Sequence, residues 1–184
     1  MDIKILSHID LTYGFVETPK GFEIDRETIK NSILHHFADS NTLSKNPMDF
    51  SHHDFKVGES KPLQWFQNYI RDHFNAERNK VLIPASTWGN VLRPGEQSFS
   101  RNTVEPLDLK HSPDYTLLYC LDTPKGVCDA VIHYDDNRRA NRTWHFPLEN
   151  NKYIIFPSTQ RYFITKNKSK KLVTFLTCTY DFVA

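Results

Sequence analysis

The stretch that most restricts this chain lies in its last third: Lys152-Tyr153-Ile154-Ile155-Phe156-Pro157-Ser158. A β-branched and aromatic run stops at Pro157, a short turn follows, and Arg161-Tyr162-Phe163-Ile164-Thr165 resumes the strand pattern. The basic turn Lys166-Asn167-Lys168-Ser169-Lys170 then leads into the long apolar run Leu172-Val173-Thr174-Phe175-Leu176-Thr177-Cys178-Thr179-Tyr180. Strand, sharp stop, strand, charged turn and final strand read as the closing part of an antiparallel sandwich or small barrel.

The rest of the chain agrees with that frame. From Lys80 onward, strands are predicted at 81–92, 115–121, 128–134, 143–148, 152–156, 162–165 and 172–182. Pro94-Gly95, Pro124-Lys125-Gly126 and Asp135-Asp136-Asn137 punctuate them. Before Lys80 the period changes. A short strand or hairpin is predicted over 3–22, then a helix capped by Asp25 with Ile29, Ile33, Leu34 and Phe37 on one face. A polar loop follows over 38–58. Ser60 caps a second helix, Pro62 suits its first turn, and Leu63, Phe66, Ile70 and Phe74 form its buried stripe. The expectation is a single domain over 1–184, with a strand and helical flank over 1–79 and a jelly-roll core over 80–184.

Composition narrows the function. The 13 Phe and 8 Tyr, against 2 Met, suit rigid aromatic packing between sheets. A formal net charge of +1 gives no reason to expect nucleic acid or a charged membrane surface as partner. No run has the length and apolarity of a membrane span, and the start has no signal-peptide character, so a cytoplasmic location is expected. Cys120, Cys128 and Cys178 have no paired spacing and read as buried, reduced thiols. Phosphate-cradling glycine loops, nucleophile elbows and zinc spacings are absent from the sequence.

Several pieces, in order, resemble one family. Thr87-Trp88-Gly89-Asn90-Val91 is followed by Pro94-Gly95, then by the strand Tyr115-Thr116-Leu117-Leu118-Tyr119-Cys120-Leu121 and by Val131-Ile132-His133-Tyr134-Asp135. Phe156-Pro157-Ser158, Asn167-Lys168-Ser169 and the last strand close the series. Together, roughly from Pro62 to Phe182, they are similar to the small prolyl-hydroxylase-like members of the 2-oxoglutarate/Fe(II)-dependent oxygenases found in bacteria and their viruses. The resemblance implies a mainly β fold with flanking helices: a double-stranded β-helix, or cupin-like jelly roll.

Such an enzyme holds Fe(II) with two imidazoles and a carboxylate and leaves the opposite positions open. By the family's spacing, the first two ligands fall on Arg101 and Thr103, and the last falls on Tyr162. None is a ligand of the expected type, and Arg101 brings a permanent positive charge. Lys171, or its neighbour Lys170, stands where the resemblance implies a cation for the distal carboxylate of 2-oxoglutarate. Other groups could supply a displaced metal set: His111 with Asp114, and His133 with His145. His52-His53-Asp54 has the right composition but precedes the strand series. Arg138, Arg139 and Arg142 share one loop and could grip phosphate or an acidic partner.

The expectation is therefore an oxygenase-like jelly roll that is degenerate, non-catalytic and without a cofactor. It would serve as a binding, structural or assembly module, with an unidentified protein partner or self-assembly, and be of viral or phage type. The alternative is an active hydroxylase using Fe(II) and 2-oxoglutarate through the displaced ligands.

Overall fold

The computed structural model describes residues 9–43, 54–136 and 139–183. Strand β1 (Thr12–Phe15) is followed by helix α1 (Arg26–Leu43), the two-residue strand β2 (Asp54–Phe55) and helix α2 (Lys61–Arg78). Then come β3 (Val81–Leu92), β4 (Tyr115–Asp122), β5 (Asp129–Tyr134), β6 (Arg142–Pro147), β7 (Lys152–Pro157), β8 (Tyr162–Ile164) and β9 (Val173–Val183). Six strands form one sheet in the order β1-β7-β4-β9-β3-β2; three form a second in the order β6-β5-β8. Every pairing is antiparallel. This is a mainly β jelly roll with two flanking helices.

The alternation of side chains along the central strands divides the interior into two cores. Leu117, Tyr119 and Leu121 of β4, with Leu176, Cys178 and Tyr180 of β9, pack with the apolar stripes of the helices. Leu118 and Cys120 of β4, with Val173 and Phe175 of β9, pack against Ala130, Ile132, Phe146, Tyr162 and Ile164 of the smaller sheet. Central strands buried on both faces read as continuous apolar runs, which is why they were legible.

The helices have clear local causes. The Ser60 hydroxyl accepts from the Leu63 amide, Pro62 sits in the first turn of α2, and Asn79 ends the helix at φ 51°. Leu63, Phe66, Ile70 and Phe74 are buried as the stripe predicts, and Phe66 stacks on Tyr119 with ring centroids 4.1 Å apart. The carboxylate of Asp25 caps α1 by accepting from the Thr28 amide at 3.0 Å. Where α1 crosses β3, a Cβ on Gly89 would lie 2.3–2.6 Å from the Ile33 side chain, so only glycine permits that approach.

Three local expectations are corrected, and the N-terminal one is narrowed. Helix α1 runs to Leu43, because no Gly or Pro interrupts the chain between Ala38 and Asn46. Strand β1 is the short strand expected within 3–22, and it pairs with β7. Asp54–Phe55, read as loop, pairs with Gly89 and Asn90 of β3. The turn Lys166–Lys170 is not merely a solvated hairpin: buried Asn167 donates to the Leu92 and Lys171 carbonyls and accepts from Ser169. Residues 3–8 of the expected N-terminal strand lie outside the described residues. Burial pushes the thiols of Cys120, Cys128 and Cys178 up to about 12, and all three are free.

Candidate functional site

A single backbone bridge assembles the site. Before β4, the chain passes along β8 and makes an antiparallel bridge between Arg101 and Tyr162. The Arg101 amide donates to the Tyr162 carbonyl at 2.9 Å, and the Tyr162 amide donates to the Arg101 carbonyl at 2.7 Å. This reciprocal pair sets both side chains on the same face of the ladder. Two residues on, the Thr103 amide donates to the Ser158 carbonyl, and its hydroxyl bonds that of Thr116. The Thr116 hydroxyl is 2.9 Å from that of Ser158. Arg101 and Thr103 are thus brought beside Tyr162, some sixty positions on in the sequence.

The Arg101 guanidinium is held by a partner the sequence did not suggest. Its two terminal nitrogens donate to the two carboxylate oxygens of Asp54 at 2.5 and 2.8 Å. The amide nitrogen of Asn90 donates to the same carboxylate at 2.6 Å, and the Thr177 hydroxyl donates to the Asn90 side-chain carbonyl at 2.5 Å. The guanidinium carbon also lies 5.7 Å from the centroid of the Trp88 ring. Burial alone would lower the Arg101 pKa, but the hydrogen bonds and charge of Asp54 outweigh it and hold the group raised. Burial likewise pushes the Tyr162 hydroxyl up, against the opposing pull of Arg101. That hydroxyl makes no hydrogen bond of ordinary geometry, and neither does the buried indole nitrogen of Trp88. A cavity of about 360 Å³ opens here, lined by Asp54, Trp88, Arg101, Asn102 and Thr103.

Chemically, the arrangement is a cation in a frame of donors. A guanidinium offers five N–H groups and no lone pair, so Arg101 cannot ligate a metal. Asp54 is the carboxylate of the cluster, and its oxygens already accept from three nitrogens.

The other sequence candidates do not converge. His111 is exposed and bonds Asp108 at 2.8 Å, while Asp114 accepts from the Phe182 amide. On β5 and β6, Val131 pairs with His145 and His133 with Thr143, whereas the inward positions of β5 are Ala130 and Ile132. The two imidazoles therefore stand on the outer face of the smaller sheet, because a strand turns successive side chains to opposite sides. A metal set of His111, Asp114, His133 and His145 is not formed. Lys171 is also corrected: it is exposed at the end of the turn, and β9 faces the interior with Val173 and Phe175. Arg142 pairs with Asp136 at 2.7 Å, and Arg139 is exposed. His52, His53 and Arg138 lie outside the described residues. Among the described residues, His35, His36 and Asp39 are the one group of three metal-ligating side chains close together, on the outer surface of α1.

No family model matches the sequence, and no curated protein matches it. The three-dimensional comparison does find likenesses. A viral collagen prolyl hydroxylase from Paramecium bursaria Chlorella virus-1, in a 2-oxoglutarate complex, superposes with TM-score 0.60 at 10% identity, covering 95% of this chain and 96% of that one. A prolyl-4-hydroxylase from Pseudomonas putida gives 0.58 at 8% identity, covering 93% and 91%. A 2-oxoglutarate/Fe(II) oxygenase-family protein from Burkholderia pseudomallei gives 0.53 at 11%, covering 80% and 78%. The fold is that of the 2-oxoglutarate/Fe(II)-dependent oxygenases. At these identities the likeness is one of architecture, and an oxygenase fold does not itself carry oxygenase chemistry.

Asp54, Trp88, Asn90 and Thr177 complete the site and were missed as functional residues. Asn90 and Thr177 left a faint sequence signal, as polar side chains within strands otherwise rich in buried residues. Asp54 was read only within His52-His53-Asp54, and nothing in that cluster pointed to Arg101, 47 positions away.

Proposed function

We propose that this protein is a non-catalytic jelly roll of oxygenase architecture, in which an ion pair occupies the region an iron centre would need, and that it works as a binding or assembly module. The observation that carries the proposal is the Arg101–Tyr162 bridge with the Arg101 guanidinium clasped by Asp54. The residues do not fit Fe(II). A guanidinium repels a dication, the Thr103 hydroxyl is tied to Thr116, and the Asp54 carboxylate is engaged by Arg101 and Asn90. A 2-oxoglutarate site is equally poorly supported, because β9 turns Val173 and Phe175 inward and Lys171 is exposed. The rival reading, an active hydroxylase using His111, Asp114, His133 and His145, has no geometric support.

Anaerobic titration with Fe(II) and 2-oxoglutarate tests this directly. The expected result is no charge-transfer absorption and no succinate release on admitting oxygen. Either signal at stoichiometric iron would overturn the proposal. The combined variant Arg101→His, Thr103→Asp and Tyr162→His is expected to gain metal affinity relative to the wild type, measured by calorimetry. No gain in a folded variant counts against assigning those positions to an iron site.

A further inference from the structure

The cavity beside Arg101 is not explained by an ion pair alone. We infer that it is a binding site for small carboxylates, for which Asp54 is a built-in competitor. This rests on the non-catalytic reading above and names a ligand class for that site.

The reasoning is an inventory of donors and acceptors. Asp54 accepts from the two terminal nitrogens of Arg101, leaving the edge of the guanidinium that carries Nε–H free of that carboxylate. Trp88 lines the cavity, and its buried indole N–H lacks an acceptor. The buried hydroxyl of Tyr162 lies beneath Arg101, outside the lining of the cavity. A buried donor left unpaired is costly, so an unpaired indole N–H on a residue lining a cavity beside a guanidinium calls for an acceptor from elsewhere. At about 360 Å³ the cavity is at the small end of ligand sites. A planar carboxylate fits the guanidinium fork, as Asp54 itself demonstrates. Charge decides against phosphate: among the described residues one guanidinium is the cation lining the cavity, already balanced by Asp54, so a dianion would be poorly compensated there.

Asp54 is suited to being displaced. Among the described residues it belongs to a strand of two residues at a sheet edge, paired with Gly89 and Asn90. About a third of its side chain remains exposed (37%). When a carboxylate enters, Asp54 can move towards solvent more readily than Arg101, whose backbone is held on both sides by Tyr162.

The test is a metal-free NMR titration in EDTA with propionate, following the Trp88 indole and Arg101 Nε resonances. Saturable shifts of both are expected, with roughly tenfold tighter binding in Asp54→Asn. Binding should be lost in Arg101→Met, and inorganic phosphate should bind more weakly than propionate. A folded Asp54→Asn protein without saturable shifts, or unchanged binding in Arg101→Met, overturns the inference. Should Asp54→Asn not fold, the wild-type titration decides: no saturable shift up to high millimolar propionate also overturns it. A carboxylate that binds only after Fe(II) is added would instead overturn the non-catalytic reading; absence of binding with and without Fe(II) removes the carboxylate site alone.

Discussion

At the residue scale, one close contact sets how α1 sits on the sheet. Gly89 lets α1 approach the sheet, with Ile33 filling the space a side chain would occupy. Gly89→Ala is therefore expected to destabilise the protein by about 1–3 kcal/mol through overpacking. Pairing it with Ile33→Ala should recover part of the loss in urea unfolding, whereas simple additivity of the two changes would contradict the contact. The buried cysteines offer a second measurement. A thiol must ionise to react, and burial holds all three at about 12 instead of 9.0. A thiol-specific disulfide reagent at pH 8 is expected to leave the folded protein unlabelled and to titrate three thiols in urea. Rapid native labelling would show that the interior opens readily.

At the element scale, α2 holds its place by caps and by one apolar face. Removing the cap with Ser60→Ala should cost ~1 kcal/mol. Phe66→Ala, which empties the stack on Tyr119, should cost about 3–5 kcal/mol. Equal effects in chemical denaturation would mean the helix is held by local capping more than by packing. Strand β3 poses the opposite problem. Among the described residues, no strand pairs with its outer edge from Val81 to Trp88. Pro84 and the irregularity between Pro84 and Ser86 interrupt that edge, which discourages another strand from adding there.

At the scale of the whole molecule, the buried thiols and phenols couple folding to pH. Unfolded thiols ionise near 9.0, while the folded ones do so near 12. Between these values the unfolded chain gives up protons that the folded chain keeps. Stability from this source is fully present below pH 9 and falls as pH rises towards 12. Tyr119, Tyr153, Tyr162 and Tyr180, also raised by burial, act in the same direction above their ordinary 10.0. The urea midpoint is thus expected to be lower at about pH 10.5 than at pH 8. A flat profile would show that these groups are not buried in solution.

The central strands and both helices were legible because each leaves a periodic apolar record over six residues or more. Phe156-Pro157-Ser158 and the glycine at position 89 also marked the architecture before any coordinates. The family resemblance directed attention to positions 101, 103 and 162, and the backbone bridge joins the first and last of them. Only the tertiary structure decided what meets them. Asp54 lies on a strand too short to leave a pattern, and its choice of Arg101 depends on a sheet edge assembled from distant segments. The fates of His133 and His145 turned on which face of their strands points inward, a consequence of register and sheet packing. Periodicity is a local property of the chain, whereas the pairing of Arg101 with Asp54 depends on how the whole chain packs.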